Sequence, residues 1–203
     1  MKVLVTGGSS LIGAGVAAAL VARGDEVVVQ QRSRSETLGR LGVRQELGDI
    51  RDLDVVLAAA AGCDAIVHLA AKVGVVGDWE DYRSINVDGT RNVLRAARRG
   101  GVGRVVHVSS PSVAHGGEPI VGGGADEPVL GRRRAWYPES KAMAEIDALA
   151  AAGDELGVVA IRPHLVWGPG DTQLVGRIVE RAATGRLALV GGGRALVVTS
   201  YVV

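Results

Sequence analysis

Phenylalanine is absent from the 203 residues of this chain, and aromatic residues together make up only 3% of it. Cysteine is nearly absent as well, because Cys63 is the single one. One cysteine excludes a framework of disulfides within the chain, and low cysteine use is typical of a reducing compartment. We therefore expect a cytoplasmic protein whose fold depends on a hydrophobic core.

Long hydrophobic runs and an excess of charge of either sign are also missing. No stretch reaches the ~20 uninterrupted apolar residues that cross a bilayer, and the net charge is +1. These absences argue against a transmembrane segment and against a nucleic-acid or acidic partner. The four histidines lack the spacing of metal ligands, so we expect no metal site.

What the sequence does contain is a regular alternation of strand patterns and helix patterns. With 47% hydrophobic residues, the chain is long enough to bury the core of one α/β domain. Strands are predicted over residues 1–5, 26–30, 44–47, 65–69, 104–109 and 158–162, and helices over 11–23, 54–61, 82–99 and 137–151. This order predicts a Rossmann-type, doubly wound parallel sheet with helices on both faces.

A glycine-rich turn joins the first predicted strand to the first helix, where residues 6–13 read TGGSSLIG. Gly7 permits a tight turn, the free N–H groups at the helix start can bind phosphates, and Gly13 lets the helix pack closely on the strand. Ser10 replaces the second glycine of the dinucleotide-binding pattern, so its side chain either crowds a pyrophosphate or donates to it. The alternatives are an ordinary strand–helix turn or a secretory signal, although the glycines and serines interrupt the apolar run of a signal.

Two later segments supply groups that can move a proton: residues 108–110 read VSS and residues 137–141 read YPESK. Tyr137 and Lys141 are four residues apart and share one face of a helix. A phenol has a pKa of ~10, and a nearby ammonium favours its ionised form. We predict that Tyr137 is the acid/base, that Lys141 lowers its pKa, and that Ser110 hydrogen-bonds the substrate oxygen.

Other interpretations of these residues stay open. Ser109 or Ser112 could supply the hydroxyl in place of Ser110. Tyr137 could be an aromatic residue of an interface, and Lys141 a solvated residue on a helix.

Taken in order, these motifs resemble the extended short-chain dehydrogenase/reductases, and most of all the branch that contains the 3β-hydroxysteroid dehydrogenases. Further matching segments are residues 48–50 (GDI), 68–71 (HLAA), 86–90 (NVDGT) and 162–170 (RPHLVWGPG). The resemblance implies a supporting role for Asn86 in catalysis, and an adenine contact for Asp49, which is otherwise only a helix cap. The implied cofactor-binding residues are Gly7, Ser9, Ser10, Leu11, Ile12, Gly13, Gln31, Arg32, Asp49, Ile50, Leu69, Ala70, Ala71, Tyr137, Lys141, Pro163, His164 and Val166.

The expected cofactor is NADP or NAD. The acidic residue that reads the ribose normally ends the second strand, and Gln31 stands there, followed by Arg32 and Arg34. Loss of the carboxylate removes a repulsion of a 2′-phosphate, and the arginines can bind one, which favours NADP. Arginines on a surface turn are the alternative interpretation.

The resemblance implies a lipid-like ketone or secondary alcohol as substrate, of the 3β-hydroxysteroid or 2-alkyl-3-oxoalkanoate type. A nucleotide-sugar epimerase and a non-catalytic NAD(P)-binding sensor are the alternatives. Sugar dehydratases of the family carry an Asp-Glu pair after the active hydroxyl, and this chain has Pro111 and Ser112 there. We expect a dinucleotide-binding domain over residues 1–165 and the start of an incomplete substrate-binding region over 166–203, with a homodimer left open.

Overall fold

The computed structural model describes residues 1–74, 76–116, 119–131, 135–171 and 174–202. Its central strands are β1 (Lys2–Thr6), β2 (Glu26–Gln31), β3 (Arg44–Leu47), β4 (Ala65–His68), β5 (Arg104–Val108) and β6 (Gly157–Ile161). They form one parallel sheet in the order β3-β2-β1-β4-β5-β6. The chain runs outward from β1 to β3 and returns to the other side of β1 with β4, so the predicted doubly wound Rossmann-type sheet is confirmed.

Seven α-helices accompany the strands in the described residues. They are α1 (Leu11–Ala22), α2 (Glu36–Arg40), α3 (Leu53–Ala60), α4 (Trp79–Tyr82), α5 (Gly89–Gly100), α6 (Trp136–Ala150) and α7 (Val175–Ala183). A π-helical segment, Arg83–Asp88, joins α4 to α5, and 3₁₀ turns cover Pro111–Ala114 and Val190–Gly193. No helix in the described ranges is long and apolar enough to cross a bilayer.

The hydrophobic core has two parts, one on each face of the sheet. Successive residues of a strand point to opposite faces. Leu4 accordingly packs in a cluster with Val56 of α3 and Val93 of α5. Its neighbour Val5 packs in the other cluster, with Ala17 of α1. Helices therefore cover both faces, as the alternation of patterns predicts.

Residues beyond β6 add no strand to the main sheet in the described part of the chain. Strands β7 (Val166–Trp167) and β8 (Ser200–Tyr201) form a separate parallel pair. The rings of Trp167 and Tyr201 pack edge to face with centroids 4.9 Å apart. Helix α7 has no buried residue among those described. The domain boundary expected after residue 165 remains a prediction.

Every strand end predicted from the sequence lies within one residue of the observed one. Helix α2 was not predicted, because it is a five-residue element whose cap, Ser35, is its main sequence signal. In place of the helix predicted over 82–99, the structure has a longer helical region over 79–100, in which the π-helical segment separates α4 from α5. Residues 2–22, the segment of the secretory-signal alternative, form β1 and α1, and β1 pairs with strands on both sides.

Candidate active site

A cavity of about 460 Å³ lies at the carboxyl ends of β1, β2, β3 and β4. Parallel strands end at one edge of the sheet, and in doubly wound folds ligands bind in the crevice beside the switch point. Ten of the predicted cofactor-binding residues border this cavity. They are Gly7, Ser9, Ser10, Gln31, Arg32, Asp49, Ile50, Leu69, Ala70 and Ala71.

The turn after β1 needs glycine at Gly7 for two separate reasons. Its φ of +71° lies in the left-handed region, which disfavours other residues. A Cβ atom at Gly7 would also lie 2.8 Å from the backbone nitrogen of Ala70. The missing side chain therefore lets the turn and the loop after β4 approach each other at the cavity wall.

Ser10 caps helix α1 rather than pointing away from it. Its hydroxyl Oγ accepts from the backbone N–H of Gly13 (3.1 Å) and donates to the carbonyl of Gly7 (2.8 Å). A Cβ at Gly13 would lie 2.5 Å from the same carbonyl, so the helix packs on the turn only with glycine there. In this arrangement the Ser10 hydroxyl belongs to the turn, whereas the sequence left open whether it crowds or binds a phosphate.

At the far rim of the cavity, Asp49 is paired with Arg51. The guanidinium donates to both carboxylate oxygens, at 2.9 and 2.8 Å, and the backbone N–H of Arg51 donates to Oδ1 at 2.9 Å. These hydrogen bonds, together with the charge of nearby Arg32, lower the pKa of Asp49. The cap of α3 is Asp52, which accepts from Asp54 N and Val55 N, so Asp49 is not the helix cap of the alternative interpretation.

Five further residues border the cavity without having been predicted from the sequence: Gln30, Gly48, Lys72, Val73 and Ile85. Gln30 and Gly48 adjoin predicted residues and are joined to each other, because Gln30 Nε2 donates to the Gly48 carbonyl at 2.7 Å. Lys72 and Val73 directly follow Ala71. For four of these residues, their position next to a motif is the sequence feature that could have predicted them. Ile85 has no such feature, because it comes from the π-helical segment.

The predicted catalytic residues lie together near the end of β5, outside the lining of this cavity. Ser110 follows β5 and caps the 3₁₀ turn, and its Oγ is 2.9 Å from Ser112 Oγ. Tyr137 lies in the first turn of α6, and the Ser110 hydroxyl acts on its phenol to lower the pKa of that group. The hydroxyl of the third candidate, Ser109, is buried without a hydrogen-bond partner among the described residues. Ser110, rather than Ser109, is therefore the serine that interacts with the tyrosine.

Burial raises the pKa of Tyr137, and the hydrogen bond with Ser110 opposes that rise. The causes of this shift among the described residues do not include Lys141, so the expectation that Lys141 lowers the pKa of Tyr137 remains a prediction. Lys141 Nζ donates to the carbonyl of Val108 at 2.8 Å, and its side chain is buried. Burial lowers the pKa of Lys141 to about 8, while the Glu145 carboxylate acts in the opposite direction.

Asn86 lies in the π-helical segment and ties three parts of the site together. Its Oδ1 accepts from the backbone N–H of Lys72 at 2.7 Å, and its Nδ2 donates to the Lys72 carbonyl at 3.0 Å and to Ser140 Oγ at 2.9 Å. π-Helical turns occur frequently at functional sites. The amide thus fixes the loop after β4 against α6, one residue before Lys141.

Several predicted cofactor-binding residues lie away from the cavity lining. Leu11, Ile12 and Gly13 belong to α1, behind the turn. Pro163 and His164 follow β6 and are half-buried, and Val166 begins β7. Because β6 is parallel to β5, these three residues lie past the same carboxyl edge of the sheet. In the described part of the chain, no group of His, Cys, Asp and Glu could hold a metal ion.

Comparison with known proteins places this geometry in a family. Over residues 4–202 the chain matches the 3-beta hydroxysteroid dehydrogenase/isomerase family. It is 47% identical to a 2-alkyl-3-oxoalkanoate reductase from Stenotrophomonas maltophilia, over 100% of this chain and 62% of that protein. It is 38% identical to a 3 beta-hydroxysteroid dehydrogenase/Delta 5-->4-isomerase from Mycobacterium tuberculosis, over 99% of this chain and 57% of that protein.

Solved structures give the same result for the fold. MoeE5 in complex with UDP-glucose and NAD superimposes with a TM-score of 0.83 at 30% identity, over 100% of this chain and 68% of that one. The UDP-glucose 4-epimerase of Thermus thermophilus, solved with NAD, gives 0.76 at 32% identity, over 91% and 63%. The chain spans about six-tenths of the length of the curated relatives it matches. Because the family match extends over residues 4–202, the chain belongs to the 3-beta hydroxysteroid dehydrogenase/isomerase family.

Proposed function

We propose that this chain binds a nicotinamide dinucleotide, NADP or NAD, in the cavity at the carboxyl edge of the sheet. The residues present fit such a ligand. In the described structure the backbone N–H groups of Leu11 and Ile12 have no hydrogen-bond acceptor at the start of α1, and such groups bind anions. Gly7 and Ser9, in the turn that precedes this helix start, border the cavity that would hold the pyrophosphate.

The other cofactor contacts follow from position along the rim. Asp49 and Ile50 would hold the adenine, and Gln31 and Arg32 would face the adenosine ribose. The charge of Arg32 beside the cavity supports NADP over NAD, because a guanidinium binds a 2′-phosphate. Relatives of known structure, including the Thermus epimerase, were solved with NAD, so the preference is a proposal for this chain.

We further propose that the chain is the cofactor-binding part of a reductase or dehydrogenase acting on a lipid-like ketone or secondary alcohol. The observation that carries this proposal is that Ser110, at the end of β5, acts on the Tyr137 phenol of α6, while Lys141 of the same helix is fixed on Val108 of β5. A bound NADPH or NADH would supply the hydride. Ser110 would orient the substrate oxygen, and Tyr137 would donate a proton to that oxygen as negative charge develops on it.

The electrostatics of the two groups support reduction of a ketone. Burial raises the pKa of Tyr137, so the phenol stays protonated near neutral pH and is ready to donate. With a pKa of about 8, Lys141 is mostly an ammonium at pH 7. One of its three N–H donors binds Val108, which leaves two for the cofactor ribose. Asn86 would keep α6 in place through Ser140.

The substrate class rests on identity to the relatives. Identity is 47% to a 2-alkyl-3-oxoalkanoate reductase and 32% to a UDP-glucose epimerase, which favours a 2-alkyl-3-oxoalkanoate over a nucleotide sugar. A cytoplasmic location is proposed from the low cysteine content, and a homodimer from the resemblance. The mass of the purified chain in solution tests the homodimer, and fractionation of the cells that make the protein tests the location.

Binding and turnover are tested separately. We expect NADH and NADPH to quench protein fluorescence when titrated into the chain, and neither doing so would overturn the cofactor proposal. For turnover, the chain is extended by the C-terminal part of the Stenotrophomonas relative and offered a 2-alkyl-3-oxoalkanoate, a 3β-hydroxysteroid and UDP-glucose. Consumption of NADPH or NADH with the first substrate supports a reductase. Epimerisation of UDP-glucose, or no reaction with any substrate despite cofactor binding, would overturn it.

A further inference from the structure

Three exposed residues, Arg32, Ser33 and Arg34, form the turn between β2 and α2, and this turn carries both arginines proposed to meet a 2′-phosphate. We call residues 32–34 the arginine turn. It is bounded by Gln31, the last residue of β2, and by Ser35, the cap of α2. What fixes its two ends therefore decides where the two guanidinium groups can reach.

Gln45 on the edge strand β3 holds both ends at once. Its Oε1 accepts from Gln31 Nε2 at 2.8 Å and from the backbone N–H of Ser35 at 2.9 Å. Its Nε2 donates to the carbonyl of Ser35 at 3.1 Å. One side-chain amide thus binds the residue before the arginine turn and both backbone groups of the residue after it.

The same contacts fix the direction of the Gln31 amide. Since the Ser35 N–H must meet an acceptor and the Ser35 carbonyl a donor, Gln45 has one orientation, and it offers Oε1 to Gln31. Gln31 therefore donates from its Nε2, and its own Oε1 is buried without a hydrogen-bond partner among the described residues. One of the two N–H donors of Gln31 Nε2 is therefore used by Gln45, and the charged donors for a 2′-phosphate come from the arginine turn.

We infer that Gln45, which does not border the cavity, is a positioning residue that sets cofactor choice through the arginine turn. The inference rests on the proposed cofactor site. By fixing the turn at both ends, Gln45 lowers the entropy lost when Arg32 and Arg34 engage a phosphate. Removing the side-chain amide of Gln45 should therefore weaken recognition of the 2′-phosphate specifically, and leave binding of the rest of the nucleotide in place.

Two nucleotides isolate this effect from the nicotinamide and from activity: adenosine 2′,5′-bisphosphate and 5′-AMP, titrated by calorimetry into the 203-residue chain. We expect the unmodified chain to prefer the bisphosphate. We define the Kd ratio as the Kd of 5′-AMP divided by the Kd of the bisphosphate. In Gln45→Leu this ratio should fall by ~5-fold, within the roughly 2- to 10-fold that one or two hydrogen bonds are worth. The Kd of 5′-AMP itself should change less than ~2-fold.

Two further variants separate positioning from a general effect on the fold. Glu46→Gln changes the next residue of β3, whose carboxylate pairs with Arg44, and should leave the Kd ratio unchanged. In a chain that already carries Arg32→Ala and Arg34→Ala, Gln45→Leu should no longer change the ratio. A purely structural role would instead weaken both nucleotides alike in every background.

Each remaining outcome has one meaning. If neither nucleotide binds the unmodified chain, the proposed cofactor site fails, and the inference with it. If both bind and the arginine variants change the ratio, but Gln45→Leu does not, the inference alone is overturned. An equal loss for both nucleotides in Gln45→Leu would also overturn it.

Discussion

The hydroxyl of Thr6, at the end of β1, lies 2.7 Å from Nδ1 of His68, at the end of β4. On its other side the imidazole Nε2 lies 2.9 Å from Thr90 Oγ1. Thr90 donates to the carbonyl of Asn86 at 2.6 Å, so its one proton is used and it must accept from His68. The ring is therefore protonated at Nε2, and Nδ1 accepts from Thr6.

This chain of hydrogen bonds joins the proposed cofactor cavity to the predicted catalytic residues. At one end, Thr6 Oγ1 accepts from the backbone N–H groups of Leu69 and Ala70, both in the cavity wall, at 3.2 Å each. At the other end it reaches Asn86, whose amide holds Ser140. Both ring nitrogens of His68 are therefore hydrogen-bonded to threonine hydroxyls.

His68→Leu should destabilise the protein by about 2–3 kcal/mol, because it leaves the buried hydroxyls of Thr6 and Thr90 without their partner. His107 provides the matched control. It is equally buried, but both its ring nitrogens lack a partner among the described residues. His107→Leu should therefore cost less than about 1 kcal/mol. Urea unfolding measures both, and equal losses for the two variants would show that the His68 contacts contribute no net stability.

The same burial predicts how stability depends on pH. Burial lowers the pKa of His68 to about 3, from an ordinary value of 6.5. Below pH 6.5 the unfolded chain therefore binds a proton that the folded chain does not. The part of the unfolding free energy that depends on a neutral His68 is complete above pH 6.5 and is lost as the pH falls toward 3. The loss is at most about 1.4 kcal/mol per pH unit.

Unfolding free energies between about pH 4 and about pH 7.5, in the parent and in His68→Leu, measure this slope. The parent should lose stability faster with falling pH than the variant. Burial lowers the pKa of His107 in both proteins, and in the parent the neighbouring His68 adds to that lowering. Parallel curves would mean that His68 titrates normally in the folded protein.

Gly7 and Gly42 allow strain and close approach to be separated. Their φ angles are +71° and +72°, so alanine should strain both turns alike. A Cβ at Gly42 meets nothing within 4 Å, whereas at Gly7 it would collide with the backbone of Ala70. We expect Gly7→Ala to weaken NADH and NADPH binding at least ~10-fold, by displacing the cavity wall, and Gly42→Ala to leave it unchanged. Fluorescence titration measures both, and equal affinities would remove the turn after β1 from the binding site.

The arginine turn makes a prediction with the intact cofactors. Arg32→Ala combined with Arg34→Ala should weaken NADPH binding by ~10-fold or more and NADH binding little, because only NADPH carries the 2′-phosphate. The exposed pair Arg98 and Arg99 at the end of α5, changed to alanine together, controls for net charge. Equal losses for the two cofactors would show that Arg32 and Arg34 are ordinary surface residues.

The sequence predicted the sheet well because buried parallel strands are short apolar runs, and those runs end at the motif residues themselves. It also predicted the glycine turn, because the positive φ of Gly7 and the close packing of Gly13 on that turn are set by residues next to each other in the sequence. What it did not predict depends on contacts between distant segments. Lys141 shares a helix with Tyr137, yet a carbonyl of β5, Val108, binds its ammonium. Gln45 has no local motif at all, and its role appears only when β3 lies beside the turn after β2.

The final prediction concerns the proton. Tyr137→Phe keeps the ring and its packing but removes the titrating hydroxyl whose pKa burial raises and Ser110 lowers. Turnover of a 2-alkyl-3-oxoalkanoate should therefore fall by ~10²–10⁴-fold, the usual contribution of a general acid, while NADPH affinity changes little. The assay uses the chain extended by the C-terminal part of its Stenotrophomonas relative, and the same change at Tyr82, whose hydroxyl binds the Val76 carbonyl, is the control. The phenol of Tyr82 serves a loop, so Tyr82→Phe should retain most of its turnover. Turnover by Tyr137→Phe close to that of the parent would refute the role of Tyr137 as the proton donor.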